Sequence, residues 1–110
     1  MAMPPLLRLT HVLPSPGAEE NFQSLFASHG VAIERIVSHR HASPPGFWYD
    51  QPGDEWVTLI QGGAVLEFED GSYRLEAGDS LLIPAHCRHR VASTEAETVW
   101  LAIHLPAAAD

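Results

Sequence analysis

From residue 31 to residue 105 the chain is cut by Gly- and Asp-bearing turns into segments too short for ordinary helices, and this rhythm constrains the fold more than any other feature. The segments cover 31–38, 55–61, 64–69, 72–76, 80–84, 89–93 and 98–105, with turn signals at Gly62-Gly63, Asp70-Gly71 and Ala77-Gly78-Asp79. Apolar runs of this length, spaced roughly 8–12 residues apart, predict an all-β sandwich or barrel of about six to eight strands. A period of two then assigns faces. Glu55, Val57 and Leu59 share one side of their strand, and Trp56, Thr58 and Ile60 share the other. In 31–38, Val31, Ile33, Arg35 and Val37 alternate with Ala32, Glu34 and Ile36. Strands that are apolar on both sides need cover on the outer face as well as a core on the inner one.

The chain before residue 31 reads differently. Residues 1–17 hold four prolines and a Ser15-Pro16-Gly17 turn signal, which predicts an extended arm. Over 18–29, Phe22, Leu25, Phe26 and His29 fall at i, i+3, i+4 and i+7. Glu19 and Glu20 stand where a helix N-terminus favours acid, and Gly30 stands where a helix stops. The spacing therefore predicts one short N-terminal helix over 18–29. With 110 residues there is room for a single core, so the expected organisation is an arm over 1–17, a barrel domain over 18–105 that includes the helix, and a tail over 106–110.

Charge narrows the partners. Fourteen acidic residues stand against six arginines and no lysine, for a formal charge of −8. No basic stripe is available to neutralise phosphates, which argues against nucleic acid, and the same balance disfavours an anionic membrane surface. No stretch approaches the roughly 18 apolar residues of a membrane span. The single Cys87 has no partner for a disulfide, and Met1-Ala2-Met3-Pro4-Pro5 has no charged segment leading into a long apolar run, so the cytoplasm is the expected location. Gly-rich phosphate loops, nucleophile elbows and paired CxxC cysteines are absent from the sequence.

Two spaced motifs carry a resemblance. Glu55, six residues and Gly62 resemble the second half of the first cupin motif; Gly78, five residues, Pro84 and then His89 are similar to the second. Both lie within residues 46–93. The phrases Gly46-Phe47-Trp48-Tyr49-Asp50-Gln51, Glu55-Trp56-Val57 and Pro84-Ala85-His86 further resemble a poorly characterised bacterial group of small single-domain cupins of the cupin 2 type, in the RmlC-like jelly-roll superfamily. The resemblance implies a double-stranded β-helix with a site inside the barrel, a homodimer, and a metal bound through histidines and a glutamate.

The match has a gap where the family carries a His-X-His pair. With Glu55 as the family glutamate, Asp50 and Trp48 stand at those two positions; with a loop one residue shorter, Gln51 and Tyr49 do. The metal ligands implied are therefore Asp50, Glu55 and His89, with Gln51 as the alternative to Asp50. One imidazole with carboxylate oxygens suits Mn, Fe or Zn better than a soft ion. Trp48, Tyr49, Gln51, His86 and His41 are candidate ligand-pocket residues, Tyr49 or His86 being a candidate proton donor. Asp50 also sits in a turn-prone run with Pro52-Gly53, where aspartate commonly makes local hydrogen bonds. His39-Arg40-His41 is the one literal His-X-His, but thirteen residues separate His41 from Glu55. His104, on the last apolar strand, is expected to lie inside or at an interface with its hydrogen bonds satisfied.

Two functions follow as expectations. One is a small cupin that binds a divalent metal and a small oxygen-bearing molecule, and is an enzyme if the metal acts as Lewis acid. The other is a metal-free small-molecule binding or sensing module that has lost the His-X-His pair. The fold alone names no reaction.

Overall fold

The Gly and Asp turns of the sequence punctuate eight strands in the computed structural model, which describes residues 3–107. The strands are β1 (Asn21–Ser28), β2 (Val31–Ser38), β3 (Gly53–Gln61), β4 (Gly63–Phe68), β5 (Gly71–Glu76), β6 (Ser80–Ile83), β7 (His89–Thr94) and β8 (Thr98–Ala107). Two antiparallel sheets face each other, one of five strands in the order β1-β2-β8-β3-β6 and one of three in the order β5-β4-β7. The alternation of β3 decides which side is which: Glu55, Val57 and Leu59 are buried between the sheets, whereas Trp56 stands on the outside. Val57, Leu59, Ala64, Leu66, Leu75, Ile83 and Trp100 form the core from both inner faces.

Gly62, at φ 87°, makes the β3–β4 turn in a region that side chains rarely adopt, and a Cβ there would come within 2.8 Å of Thr98 Cα. Gly78, at φ 96°, turns β5 into β6. There its N–H reaches Leu59 O at 2.7 Å and ties the turn to the middle of β3.

The helix expected over 18–29 is not formed; most of that stretch is strand β1, at the edge of the larger sheet. A β-bulge explains the misleading period. The β1–β2 register shifts between Ser24 and Phe26, leaving Leu25 as the extra residue. Phe22 pairs with Ile36, whereas Phe26 pairs with Ile33, which belongs to the opposite face of β2. The two phenylalanines thus serve different surfaces, although their spacing of four imitates one side of a helix. The strand β8 runs to Ala107 and takes in the first two residues of the expected tail; residues 108–110, like residues 1–2 of the arm, lie outside the described residues.

The arm lies along the outer face. Arg35 Nη1 donates to Leu9 O at 3.1 Å. Beyond β2, His39 Nε2 donates to Pro14 O at 3.1 Å and His41 Nε2 donates to Gly17 O at 2.8 Å. The His39 N–H donates to His41 Nδ1 at 2.8 Å, which fixes the tautomer of His41. Its two imidazoles therefore hold the arm, and neither lines the barrel cavity.

Candidate functional site

Between the sheets lies a small cavity of about 80 Å³ that opens to solvent. Its walls include Ile36, Val57, Leu66, Ile83, Val91 and Trp100. Against them stands a polar group drawn from four strands and one loop: Glu34, Tyr49, Gln51, Glu55, His89 and His104. Glu20, just before β1, and Phe22, near its start, complete the lining.

Sheet register puts these groups together. Glu55 and His104 are direct cross-strand partners on β3 and β8. Tyr49 is bridged to His89 by two backbone hydrogen bonds, of 2.7 and 3.2 Å, and its ring stacks on the imidazole with centroids 5.3 Å apart. Glu55 is 8% exposed and His89 4%. Across the cavity His89 Nε2 lies 3.7 Å from Glu55 Oε1, a separation beyond a direct hydrogen bond.

The tautomers follow from the neighbours. Cys87 O only accepts, so His89 Nδ1 carries a proton and donates to it at 2.9 Å. In the neutral ring the lone pair then sits on Nε2 and faces Glu55. His104 Nε2 donates to Glu34 Oε1 at 2.8 Å. Burial pushes the Glu55 carboxyl above the ordinary glutamate range, and nearby Glu34 adds to that; His104, His89 and a hydrogen bond from Gln51 act in the other direction without cancelling it. Burial, followed by the charges of Glu20, Glu55 and Glu34, raises Tyr49 and keeps its phenol a donor. A buried carboxyl of raised proton affinity beside an imidazole with a free lone pair is a general acid–base arrangement.

Asp50 is elsewhere. Its Oδ1 accepts from His86 Nδ1 at 2.7 Å, with both side chains exposed on the rim. The loop carrying Asp50 is stitched to the β6–β7 turn, His86 N–H donating to Gln51 O at 2.8 Å and Ala85 N–H to Asp54 Oδ1 at 2.8 Å. Trp48 lies off the cavity lining, under the Arg88 guanidinium at 5.4 Å. Tyr49 and Gln51 do face the cavity.

These positions bear on a metal. Among the described residues, no group of three or more His, Cys, Asp or Glu is arranged to hold an ion. Of the three implied ligands, Glu55 and His89 Nε2 face the cavity with the alternative Gln51, whereas Asp50 is engaged by His86, and His104 Nε2 by Glu34. Catalytic metal sites ordinarily take about three protein ligands. Asp50, Glu55 and His89 as placed do not converge on one ion.

Residues 34–104 match the Cupin domain family, a span that includes most of β2, all of β3 to β7 and most of β8. The chain is a cupin. A candidate mannose-6-phosphate isomerase of Ralstonia eutropha JMP134 is 47% identical to it, with a TM-score of 0.90 over 94% of this chain and 100% of that one. A cupin superfamily protein of Desulfitobacterium hafniense DCB-2 superposes at a TM-score of 0.78 with 24% identity, covering 91% of this chain and 89% of that one. A protein of unknown function from Streptococcus pyogenes does so at 0.76 with 21% identity, covering 98% and 93%. The last two likenesses concern the fold alone. No curated protein matches the chain in sequence.

In this cupin the sequence motifs single out Glu55 and His89 and pass over Glu20, Phe22 and Glu34. A signal for Glu34 exists: it alternates with Ala32 and Ile36 on one face of β2, and a carboxylate in an apolar row asks for a partner. His104, in a row with Trp100 and Ala102, is that partner. The seventy residues between the two hide the pairing from any local pattern.

Proposed function

We propose that this cupin binds a small oxygen-bearing molecule in the barrel and moves protons within it without a resident metal, Glu55 and His89 forming the acid–base pair. The 3.7 Å separation of Glu55 Oε1 and the free Nε2 of His89 carries this reading, because a substrate hydroxyl or carbonyl entering beside them meets two groups able to exchange a proton with it. Tyr49, stacked on His89, holds that ring in place, and Gln51 holds Glu55. Isomerisation of a hydroxycarbonyl compound, the kind of chemistry named for the Ralstonia relative, is proton transfer of this type. The lone Cys87, without a disulfide partner among the described residues, suits a reducing cytoplasm. No helix among the described residues is long and apolar enough to cross a membrane.

Elemental analysis of protein purified without a nickel column tests the reading. Substoichiometric Mn, Fe and Zn, with no uptake on titration at neutral pH, is the expected outcome. Stoichiometric metal that is lost in both Glu55→Ala and His89→Ala would overturn the metal-free account and restore the metal-dependent one.

The same reading includes a homodimer. On the outer face of the larger sheet, Phe26, Ile33, Ile103, Trp56 and Leu82 stand in one cross-strand row, one residue from each of the five strands. Phe26 is 52% exposed, Trp56 42% and Leu82 47%. An apolar stripe running the full width of a sheet is the kind of surface that a second copy covers.

A further inference from the structure

The charges lining the cavity select among ligands. Three carboxylates face it, on Glu20, Glu34 and Glu55, and no arginine does. The chain has no lysine, and its arginines are committed elsewhere. Arg35 reaches out to Leu9 O, Arg88 covers Trp48, and Arg90 binds Glu67 Oε1 at 2.9 Å and Ser43 O at 3.0 Å. Arg8, Arg40 and Arg74 are exposed and line no part of the cavity. A helix N-terminus, the usual backbone cradle for phosphate, is also missing among the described residues. The groups in the cavity able to become positive are His89 and His104, and each already faces a carboxylate, Glu55 and Glu34 respectively. Glu20, which accepts from Ser38 Oγ, is the carboxylate left without a basic partner.

The geometry points to a ligand that carries hydrogen-bond donors and no negative charge, and to exclusion of phosphate esters and other anions from this cavity. Carboxylate oxygens and the His89 lone pair accept, so hydroxyl or ammonium groups satisfy them, while Trp100, Val57 and Leu66 receive the hydrocarbon side. A phosphate dianion would bring like charge against the carboxylates with no guanidinium or ammonium to pair it. The inference rests on the cavity being the ligand site, as proposed above. It separates this chain's ligand from a phosphorylated sugar even where the chemistry performed is isomerisation.

The test uses three probes of one ring and three charges: D-mannose, D-mannosamine and D-mannose 6-phosphate. Each is titrated into the full chain while the Trp100 indole N–H is followed by NMR, its signal being identified from Trp100→Phe. Mannose, mannosamine or both should perturb it, and the phosphate should bind at least about 100-fold more weakly than the better of them. A stronger response to mannosamine assigns ammonium recognition, and a stronger response to mannose assigns hydroxyl recognition. Phosphate binding as tight as that of the neutral sugar overturns the charge inference and leaves the cavity reading standing. No response to any probe by the folded protein overturns the cavity reading, and the inference with it. In Glu20→Gln the gap between mannose and its phosphate should narrow by roughly threefold or more, since a full charge a few ångströms away is removed; an unchanged gap also counts against the inference.

Discussion

The two faces of the five-stranded sheet each depart in part from the rule of apolar inside and polar outside. The inner face, shielded from water, carries Glu34, Glu55 and His104, while the outer face displays Phe26, Trp56 and Leu82. Burying ionisable groups costs stability, and so does leaving wide apolar rows in water. By our proposal each face is shaped by something the isolated chain does not contain: a ligand inside and a second copy outside. The packing that holds the fold is left to what lies further along the inner face, where Val57, Leu59, Trp100 and Ala102 are buried without charge.

The largest effect should come from that apolar inner region. Leu59 is fully buried between the sheets, so Leu59→Ala should lower unfolding stability by about 2–5 kcal/mol in urea titrations. A loss near that of an exposed position would mean that the division between packing and site is drawn in the wrong place. On the outer face, Trp56→Glu puts a charge in the middle of the apolar row and should raise the dimer dissociation constant about 30-fold or more. Light scattering across a dilution series reads this, and a wild type that is monomeric throughout would remove the outer half of the comparison.

The smallest effect sharpens the inner half. Because the folded pKa of Glu55 is raised, the native state holds this proton more tightly than the unfolded chain does. The contribution of Glu55 to stability is therefore undiminished below the ordinary glutamate range and declines as pH rises through the raised folded value. Glu55→Gln removes that decline. Relative to wild type the variant should gain stability near pH 8 and gain little near pH 4, as urea midpoints at the two pH values would show. A larger gain at the acidic end contradicts the assignment of burial as the dominant influence on Glu55.

Seven of the eight strands are legible in the sequence because Gly62, Asp70-Gly71 and Gly78 stop each run within a few residues and because period two survives between stops. Strand β1 is not, since a bulge at an edge breaks the alternation that a reader relies on. The meeting of Glu55 and His89 is legible as motif spacing, whereas the rim pair Asp50–His86 is not: both members were candidates separately, and nothing local says that the loop and the β6–β7 turn are stitched together. Glu20, Glu34 and His104 enter the cavity through sheet order, with β8 inserted between β2 and β3, and strand order is a property of the whole chain that no motif encodes.

One inserted residue, Leu25, lets a single edge strand send Phe22 to the lumen and Phe26 to the exterior. Deleting Leu25 would leave Phe26 three steps from Phe22, so plain alternation with the same partners on β2 would keep both rings on the faces they now occupy. The bulge thus absorbs a one-residue change in length, and neither the lumen nor the exterior need exchange an aromatic ring when β1 gains or loses a residue there.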